Sequence, residues 1–367
     1  MLKYKSIPAG LIALAIQACY MPSSLGQPAP DKKQVEIGAY YFDGWAGRNR
    51  HADNPDEPWA KNAPTHLTRR FVEEFSEREP VWGWRDDDLE IMEKQIDLAA
   101  DNGISFFLFC WYWRDNKGTI NPEAIGALPH HTSLNLYMKA RNKHRIKFGL
   151  LVANHTGSEI IGPENWGEAV KYWLPYFNDP QHITVEGKPL VVLFDSKGID
   201  EEGLARMQQA ARAGGIDGIA IAGCGSASPK GFTHRTHYNI IPGYAAGSEA
   251  HPYSELVAAH LKNWSGSGEK PYIPEVTVGW DKRPWEGASG LNQKPGWYFP
   301  ERTVDQFKDF LKKAITWMDE HPEETTRERI VLLYAWNELG EGGYLVPTKG
   351  DPEAKYLKAV KEVIGKK

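Results

Sequence analysis

The sequence predicts a single (β/α)8 barrel at residues 35–367, with a long insertion after the first strand. Short apolar runs rich in β-forming residues alternate eight times with amphipathic helical patterns over this range. The alternative, a doubly wound sheet, would have a glycine-rich phosphate turn after the first strand. Gly38 and Gly44 lie there without forming a GxGxxG motif, so we favour the barrel.

The first part of the barrel contains the insertion. A strand is expected at residues 35–42, and a polar, aromatic segment with proline and asparagine turn signals follows at 43–85. A helix then begins after the acidic residues 86–88 and ends at Asn102 and Gly103, which are typical helix-terminating residues. The apolar run 104–113 is the second predicted strand.

The remaining elements continue the alternation. Strands are expected at 147–155, 189–195, 218–225, 238–244 (a weaker pattern), 272–280 and 330–336. Helices are expected at 134–144, 166–177, 201–213 and 253–264, with two more beginning at Thr303 and Asp351. Thr303 and Gln306 have the spacing of a capping box, which supports a helix start at this position.

The end of the eighth predicted strand carries the strongest signal for chemistry. Asn337 and Glu338 follow the apolar run directly, and Glu341 lies among three glycines. A carboxylate at the end of a buried strand is costly unless it is used or paired. Because glycine permits sharp turns, both carboxyls can reach one cleft, as glycosidic bond hydrolysis requires. The alternative is a solvated loop with two surface glutamates.

Aromatic and polar residues at the other strand ends predict a sugar site. Barrel active sites lie at the carboxyl ends of the strands, and sugars need flat apolar faces together with hydrogen-bonding side chains. The candidate substrate-binding residues are Tyr41, Trp45, Trp111, Tyr112, Asn154, His155, Asp195, Tyr244, Trp280, Trp336 and Asn337. Tyr41 and Trp111 fit the barrel core equally well. Asp195 also fits a loop cap, and Trp280 also fits packing.

Composition and the weaker motifs exclude several function classes. The net charge of −5 argues against nucleic acid and anionic membranes as partners. The acidic triplet 86–88 resembles a metal-nucleotide motif, but acids at a helix N-terminus explain it better. The histidine pairs 130–131 and 234/237 have no evident third metal ligand, so we expect no metal or cofactor. Cys110 and Cys224 fit small buried hydrophobic positions.

The N-terminus, residues 1–26, has the pattern of an export signal. Lys3 and Lys5 precede an apolar stretch at 7–18 that is too short to span a bilayer. Residues 16–19 resemble a lipobox that would place a lipid on Cys19, whereas small residues at 24–26 fit cleavage before Gln27. Residues 27–34 would form a tether. The protein is therefore expected in the periplasm, at the cell surface as a lipoprotein, or outside the cell.

The residues 336–342, WNELGEG, resemble the WNEWGEG motif of the WbsX-like proteins. These are related to glycoside hydrolase family 99, the endo-α-mannosidases and endo-α-mannanases. Further matching pieces are IGAYYFDGW (37–45), LAADNGISFFLFCWYW (98–113) and VTVGWDKRPW (276–285). The resemblance implies a (β/α)8 barrel that needs no metal and retains configuration through a 1,2-anhydro sugar. It implies that Glu338 acts on the sugar 2-hydroxyl and that Glu341 protonates the leaving oxygen.

The motif also departs from the family pattern. Leu339 replaces the usual tryptophan, Gly340 stands where the mannosidases commonly have histidine, and Gly343-Tyr344 replaces their Thr-Gln. Mannose specificity therefore does not follow from the resemblance. For the proposed roles, we expect a raised pKa on Glu341 and an ionised Glu338.

The sequence therefore predicts an exported, monomeric glycoside hydrolase with a carbohydrate substrate. WbsX-like proteins are often described as glycosyltransferases, which is the first alternative; an export signal argues against it, because sugar-nucleotide donors are cytosolic. The second alternative is a carbohydrate-binding protein without catalysis. The presence of both Glu338 and Glu341 argues against that alternative.

Protein isolated from its native cell is expected to begin at a lipidated Cys19 or near Gln27, because one of the two processing patterns should be used. Intact mass spectrometry measures which residue comes first. Retention of Met1 on protein recovered from the cytosol would contradict the export signal.

Overall fold

Apart from Met1, the computed structural model describes residues 34–113, 121–225, 230–265, 268–287 and 293–365. The rest of the expected export signal, the lipid site at Cys19 and the tether up to residue 33 lie outside the described residues. Within the described part, no helix has both the length and the apolar composition needed to cross a membrane.

Eight parallel strands form the central sheet. They are β1 (Glu36–Tyr41), β2 (Phe106–Trp111), β3 (Lys147–Val152), β4 (Lys188–Leu193), β5 (Ala220–Cys224), β6 (His234–Thr236), β7 (Glu275–Thr277) and β8 (Ile330–Tyr334). Each of the strands β1 to β5 pairs with the strand that follows it in the chain. Strand β7 pairs with β8, and β8 pairs with β1. Between β6 and β7, a parallel bridge joins Arg235 to Tyr272. The sheet thus nearly closes, which confirms the predicted barrel class.

The strands form because their side chains are apolar on both faces. All five residues of β8 are buried, and so are the six residues of β2, as expected for parallel strands covered by helices. In the register, Ala39 of β1 lies opposite Phe107 of β2 and Leu333 of β8. A Cβ at Gly38 would lie 2.3 Å from the Phe106 ring, so glycine is needed at this close approach.

Helices follow most strands and cover the barrel. They are α1 (Arg69–Glu74), α2 (Leu89–Asp101), α3 (Pro122–Gly126), α4 (Thr132–Lys139), α5 (Pro163–Phe177), α6 (Glu201–Ala213), α7 (Tyr253–Trp264), α8 (Val304–Glu320) and α9 (Lys355–Ile364). The predicted capping box is present, since Thr303 accepts from the Gln306 backbone while the Gln306 side chain caps the Thr303 backbone. The Asp88 side chain caps α2 by accepting from the backbone N–H groups of Glu90 and Ile91.

Two predicted elements are wrong in position. The sixth strand was expected at residues 238–244, but it is formed by His234–Thr236, and 238–244 is an irregular loop. Pro242 and Gly243, which has φ +67°, prevent a regular ladder there. The last helix begins at Lys355 instead of Asp351, because Ala354 adopts a left-handed conformation and Asp351 caps the Lys355 backbone.

Candidate active site

The two candidate catalytic carboxylates are carried by a tight turn after β8, residues 337–344, which we call the carboxylate turn. Glu338 pairs with Gly343 in a short antiparallel bridge, and the Glu341 backbone N–H donates to the Glu338 carbonyl at 3.2 Å. Gly342 has φ +76°, and a Cβ there would lie 2.7 Å from the Asp281 nitrogen. This geometry brings Glu338 and Glu341 to the same cavity, as the sequence predicted.

That cavity has a volume of about 470 Å³ and lies at the carboxyl ends of the strands. Its size falls within the usual range for small-ligand sites. It is lined by Phe42, His66, Cys110, Tyr112, His130, Leu151, Ala153, His155, Phe194, Tyr238, Asn239, Ile241, Tyr244, Trp280, Trp285, Gln293, Glu338 and Glu341. Six of the predicted site residues are among them: Tyr112, His155, Tyr244, Trp280, Glu338 and Glu341.

Each carboxylate is held by a buried tyrosine. The Tyr238 hydroxyl donates to Glu338 Oε1, and the Tyr334 hydroxyl donates to Glu341 Oε2. Burial raises the pKa of both tyrosines well above the usual value, so they remain hydrogen-bond donors. Glu338 Oε2 is buried and has no hydrogen-bond partner among the described residues.

Burial raises the pKa of both carboxyls. For Glu338 the rise is large, because the nearby Glu341 charge adds to the desolvation. Burial raises the pKa of Glu341 to about 7, while the Tyr334 hydrogen bond and the Lys282 charge oppose the rise. Both carboxyls therefore hold a proton to higher pH than a free glutamate does. The raised pKa expected for Glu341 is accompanied by a raised pKa of Glu338, which favours the protonated form of Glu338 as well.

Aromatic faces line the cavity beside the carboxylates. Tyr244 is 48% exposed, and its ring lies 5.8 Å from that of Trp280. The Lys282 ammonium lies 4.0 Å from the Tyr244 ring centroid. Tyr112 contacts the rings of His130 and His155, at 4.7 and 6.0 Å between centroids. Such faces can stack on the C–H surfaces of a sugar.

The structure corrects the placement of the other seven predicted binding residues, which lie outside the cavity lining. These are Tyr41, Trp45, Trp111, Asn154, Asp195, Trp336 and Asn337. Tyr41 and Trp336 are core residues that both donate to Gln95 Oε1, at 3.1 and 2.7 Å. The Trp45 indole is 1% exposed and donates to the Asn337 carbonyl at 2.9 Å. Because Tyr41, Trp45 and Trp336 are buried outside the cavity lining, their rings cannot contact a ligand in this cavity.

The remaining three of these residues also have structural contacts. Trp111 is fully buried and stacks on His131, with ring centroids 5.4 Å apart. Asn154 exchanges hydrogen bonds of 2.8 and 2.9 Å with the Asp195 backbone. The Asp195 carboxylate accepts from the Lys197 backbone at 2.9 Å, so it caps the loop, which was the alternative reading from the sequence.

Sequence reasoning missed several cavity residues. Tyr238, which lines the cavity, was assigned to a strand, and Tyr334, which lies outside the lining but donates to Glu341, is part of an apolar run that is typical of a core strand. His66 and Trp285 come from loops far apart in the chain, and the Trp285 indole donates to the His66 carbonyl at 3.1 Å. The one signal in the sequence that could have identified Tyr334 is its position at the end of the predicted strand, shortly before Glu338 and Glu341.

The weaker motifs of the sequence have structural explanations. The acidic triplet 86–88 begins α2 through Asp88, and Asp86 is buried and accepts from Tyr41 at 3.0 Å. Cys110 and Cys224 are buried free thiols. Within the described residues, no group of three or more His, Cys, Asp or Glu side chains is arranged to hold a metal ion.

Comparison with known proteins gives a family and a fold. A family model described as glycosyltransferase WbsX matches residues 84–242 and 228–360. No curated protein matches the chain. An endo-α-mannosidase of glycoside hydrolase family 99 from Bacteroides thetaiotaomicron, in complex with bis-tris propane, has a TM-score of 0.57 and 16% identity. That match covers 90% of this chain and 96% of the other.

A second solved structure, described as a glycoside hydrolase-like protein, has a TM-score of 0.58 and 17% identity. That match covers 93% of this chain and 97% of the other chain. At these identities the likeness establishes the barrel fold over nearly the whole chain.

Replacing Trp45 by alanine is expected to lower the free energy of unfolding by about 3–5 kcal/mol, because the indole is buried and hydrogen bonded. Tyr244→Ala is the matched control and should change it by no more than about 0.5 kcal/mol, since Tyr244 is half-exposed. Urea unfolding of both variants measures the difference. A loss below about 1 kcal/mol for Trp45→Ala would contradict its core position.

Replacing Tyr334 by phenylalanine is expected to raise the pKa of Glu341 above about 7, because the hydrogen bond to the ionised carboxylate is lost. Carboxyl ¹³C NMR titration of glutamate-labelled protein measures this pKa, with Glu341→Gln assigning the signal. Tyr137→Phe, whose hydroxyl bonds the Ile146 carbonyl, is the control. An unchanged or lowered pKa in Tyr334→Phe would show that the hydroxyl does not stabilise the ionised form.

Proposed function

This chain belongs to the WbsX family, and we propose that it is a glycoside hydrolase that cleaves a glycosidic bond in a polysaccharide or glycan. The observation that carries the proposal is the pair Glu338 and Glu341, which line one cavity and whose pKa values are both raised by burial. General acid–base catalysis needs one protonated and one ionised group at the scissile bond. Two structural neighbours, described as an endo-α-mannosidase and as a glycoside hydrolase-like protein, support the same reaction class.

In the proposed mechanism, the two glutamates act on different parts of the sugar. Glu338 takes the proton of the 2-hydroxyl, so that O2 attacks C1 and forms a 1,2-anhydro sugar. The bond from C1 to the leaving oxygen breaks at the same time, and Glu341 gives its proton to that oxygen. Water then attacks C1, Glu341 takes its proton, and Glu338 returns a proton to O2. Both glutamates end in their starting protonation states, and the configuration at C1 is retained.

Substrate binding would favour the ionised form of Glu338. Burial and the Glu341 charge raise the pKa of Glu338, whereas the Tyr238 hydrogen bond lowers it. A bound 2-hydroxyl would donate a further hydrogen bond to the Glu338 carboxylate and stabilise its ionised form. The proton then favours Glu341, which is the state that leaving-group protonation requires.

The family description favours a second candidate function, glycosyl transfer. Both reactions need acid–base groups at a sugar carbon, but transfer needs an activated donor. Product analysis with and without a sugar nucleotide separates the two classes. A carbohydrate-binding protein without catalysis would release no product in either case.

We also propose that the protein is exported, either as a lipoprotein through Cys19 or as a secreted form, and that it acts as a monomer. The support is the charged start and the apolar stretch at residues 7–18. Export would give the protein access to extracellular or periplasmic polysaccharides while separating it from cytosolic sugar nucleotides.

A screen of a glycan library for released products should identify a substrate, on which the roles can be tested. Glu341→Gln and Glu338→Gln should each reduce the rate by roughly 10²–10⁴-fold. An activated leaving group should partly rescue Glu341→Gln, because it needs no proton, but should not rescue Glu338→Gln. A substrate methylated at the 2-hydroxyl should be inert.

The matched control is Glu301→Gln, a change at an exposed glutamate, which should keep the wild-type rate. Normal turnover of the 2-O-methyl substrate would exclude the anhydro-sugar route. If Glu338→Gln were rescued instead of Glu341→Gln, the two roles would be exchanged. Near wild-type rates for both variants would overturn the site assignment.

A further inference from the structure

A second cavity of about 230 Å³ lies beside the carboxylate turn. Gly342 and Tyr344 of the turn line it, and Trp280 belongs to the walls of both cavities. Three arginines, Arg78, Arg283 and Arg302, also line it, so we call it the arginine cavity. Each of these guanidinium groups needs hydrogen-bond partners or water to offset its charge, and of the three only Arg78 is buried.

Asp281 pairs with two of these arginines. Its Oδ1 accepts from Arg283 Nε and its Oδ2 from Arg283 Nη2, both at 2.8 Å, which is a two-bond fork. Its Oδ2 also accepts from Arg78 Nη2. Arg78 Nη1 donates to the carbonyls of Asp281 and Leu339 at 2.9 and 3.0 Å. Structural contacts therefore account for Arg78 and for the Nε–Nη2 edge of Arg283.

The third arginine is different. Arg302 Nη1 donates to the carbonyls of Val278 and Gly342, at 2.9 and 2.7 Å. Within the described part of the chain, its Nε and Nη2 have no hydrogen bond, and no carboxylate lies in salt-bridge range. This Nε–Nη2 edge is the same edge that Arg283 uses to bind Asp281. Arg283 thus uses its Nε–Nη2 edge to bind a carboxylate, whereas the equivalent edge of Arg302 has no protein partner among the described residues.

Arg302 is held in place before any ligand arrives. Its guanidinium carbon lies 5.2 Å from the Tyr344 ring centroid and 4.7 Å from that of Tyr356. The Tyr356 hydroxyl donates to the Arg302 carbonyl at 3.1 Å. These contacts and the two Nη1 bonds restrict the side chain, so binding an anion would cost little further conformational entropy.

The charges of the lining leave an excess of positive charge. Besides Asp281, the acidic residue of the lining is Glu77, which lies 3.8 Å from Arg78 Nε and has a side chain 54% exposed. Glu77 is therefore partly screened by water and lies by Arg78. Arg302 has no corresponding carboxylate among the described residues, so the field in the cavity favours an anion.

We propose that the arginine cavity binds the carboxylate of an acidic sugar unit, such as a uronic acid, through the Nε–Nη2 edge of Arg302. A planar carboxylate matches this fork with two hydrogen bonds, as Asp281 does on Arg283. Trp280 and Phe299 add apolar atoms to the lining, and each residue is only 2% exposed. The volume of about 230 Å³ lies below the usual range for drug-sized ligands, so the cavity can hold no more than a small group such as one sugar unit. The inference rests on the proposed function for the glycan class of the ligand.

The substrate class that follows is an acidic polysaccharide. Because Trp280 lines both cavities and Gly342 follows Glu341 directly, an acidic unit bound at Arg302 would lie next to a glycan bound at the carboxylate pair. The carboxylate of the sugar would then determine which polysaccharide binds and which of its units lies at Glu338 and Glu341, while these two glutamates act on the glycosidic bond.

The test is isothermal titration calorimetry with the full chain carrying Glu341→Gln, which prevents turnover. The probes are oligosaccharides of glucuronic, galacturonic and mannuronic acid, each paired with its neutral counterpart of equal length. At least one acidic oligomer should bind about tenfold or more tightly than its neutral counterpart, and added salt should weaken it. Arg302→Gln should weaken binding about ten- to a hundredfold.

Two further variants distinguish the effect of the two-bond hydrogen-bond geometry of Arg302 from the effect of its charge and from effects on folding. Arg302→Lys keeps the charge but cannot form the two-bond fork, so it should recover only part of the affinity. Arg206→Gln, on α6, is the matched control and should bind like the parent, since Arg206 pairs with Glu164 and Glu202. Melting temperatures check that each variant is folded, and Arg302→Lys carries the test if Arg302→Gln unfolds.

The outcomes are distinct from those of the proposed function. Equal binding of acidic and neutral oligomers, or unchanged binding in folded Arg302→Gln and Arg302→Lys, would overturn the inference. Binding of inorganic sulfate or sulfated sugars without a response to uronates would also overturn it, in favour of a sulfate site. If binding depends on Arg302 but the wild-type protein releases no product from any glycan, the proposed hydrolysis fails and the acidic-sugar site stands.

Discussion

The arrangement of the site depends on the side chain of Asn337, which joins the ends of two neighbouring barrel strands. Its Oδ1 accepts from the Phe42 backbone N–H at 2.8 Å, and its Nδ2 donates to the Phe42 carbonyl at 2.9 Å. The Trp45 indole donates to the Asn337 carbonyl. The amide thus replaces the strand partner that Phe42 lacks beyond β1, so the carboxylate turn starts from a fixed point. All these groups are buried, and leaving one unpaired would cost about 1–3 kcal/mol.

Burial of the two carboxyls has opposite effects on stability and on chemistry. A carboxyl whose pKa is raised on folding contributes most to the stability of the folded state when the pH is below the pKa of the carboxyl in the unfolded chain. Its contribution falls as the pH rises towards the folded pKa, which is about 7 for Glu341. The site is therefore destabilising at neutral pH, where a carboxyl with a pKa of about 7 can both donate and accept a proton. The hydroxyls of Tyr238 and Tyr334 limit this destabilisation by donating to the ionised forms.

The backbone of the carboxylate turn connects the two cavities. Arg78 donates to the Leu339 carbonyl, Arg302 donates to the Gly342 carbonyl, and the Asp281 N–H donates to the Glu341 carbonyl at 2.6 Å. Residues that line the arginine cavity therefore also hold the segment that carries Glu341.

The amino-acid sequence by itself determined the barrel, seven of its eight strand positions and the two carboxylates, because periodic burial and a polar break after an apolar run are local signals. It could not separate wall residues from cavity residues. Trp45 and Trp280 have similar sequence surroundings at strand ends. The Trp45 indole is hydrogen bonded to the Asn337 carbonyl outside the cavity lining, whereas Trp280 lines the cavity. Only the tertiary structure decided that difference, and it also brought Tyr238 to Glu338 from 100 residues away. The physical reason is that exposure and pKa depend on neighbours that are distant in the chain.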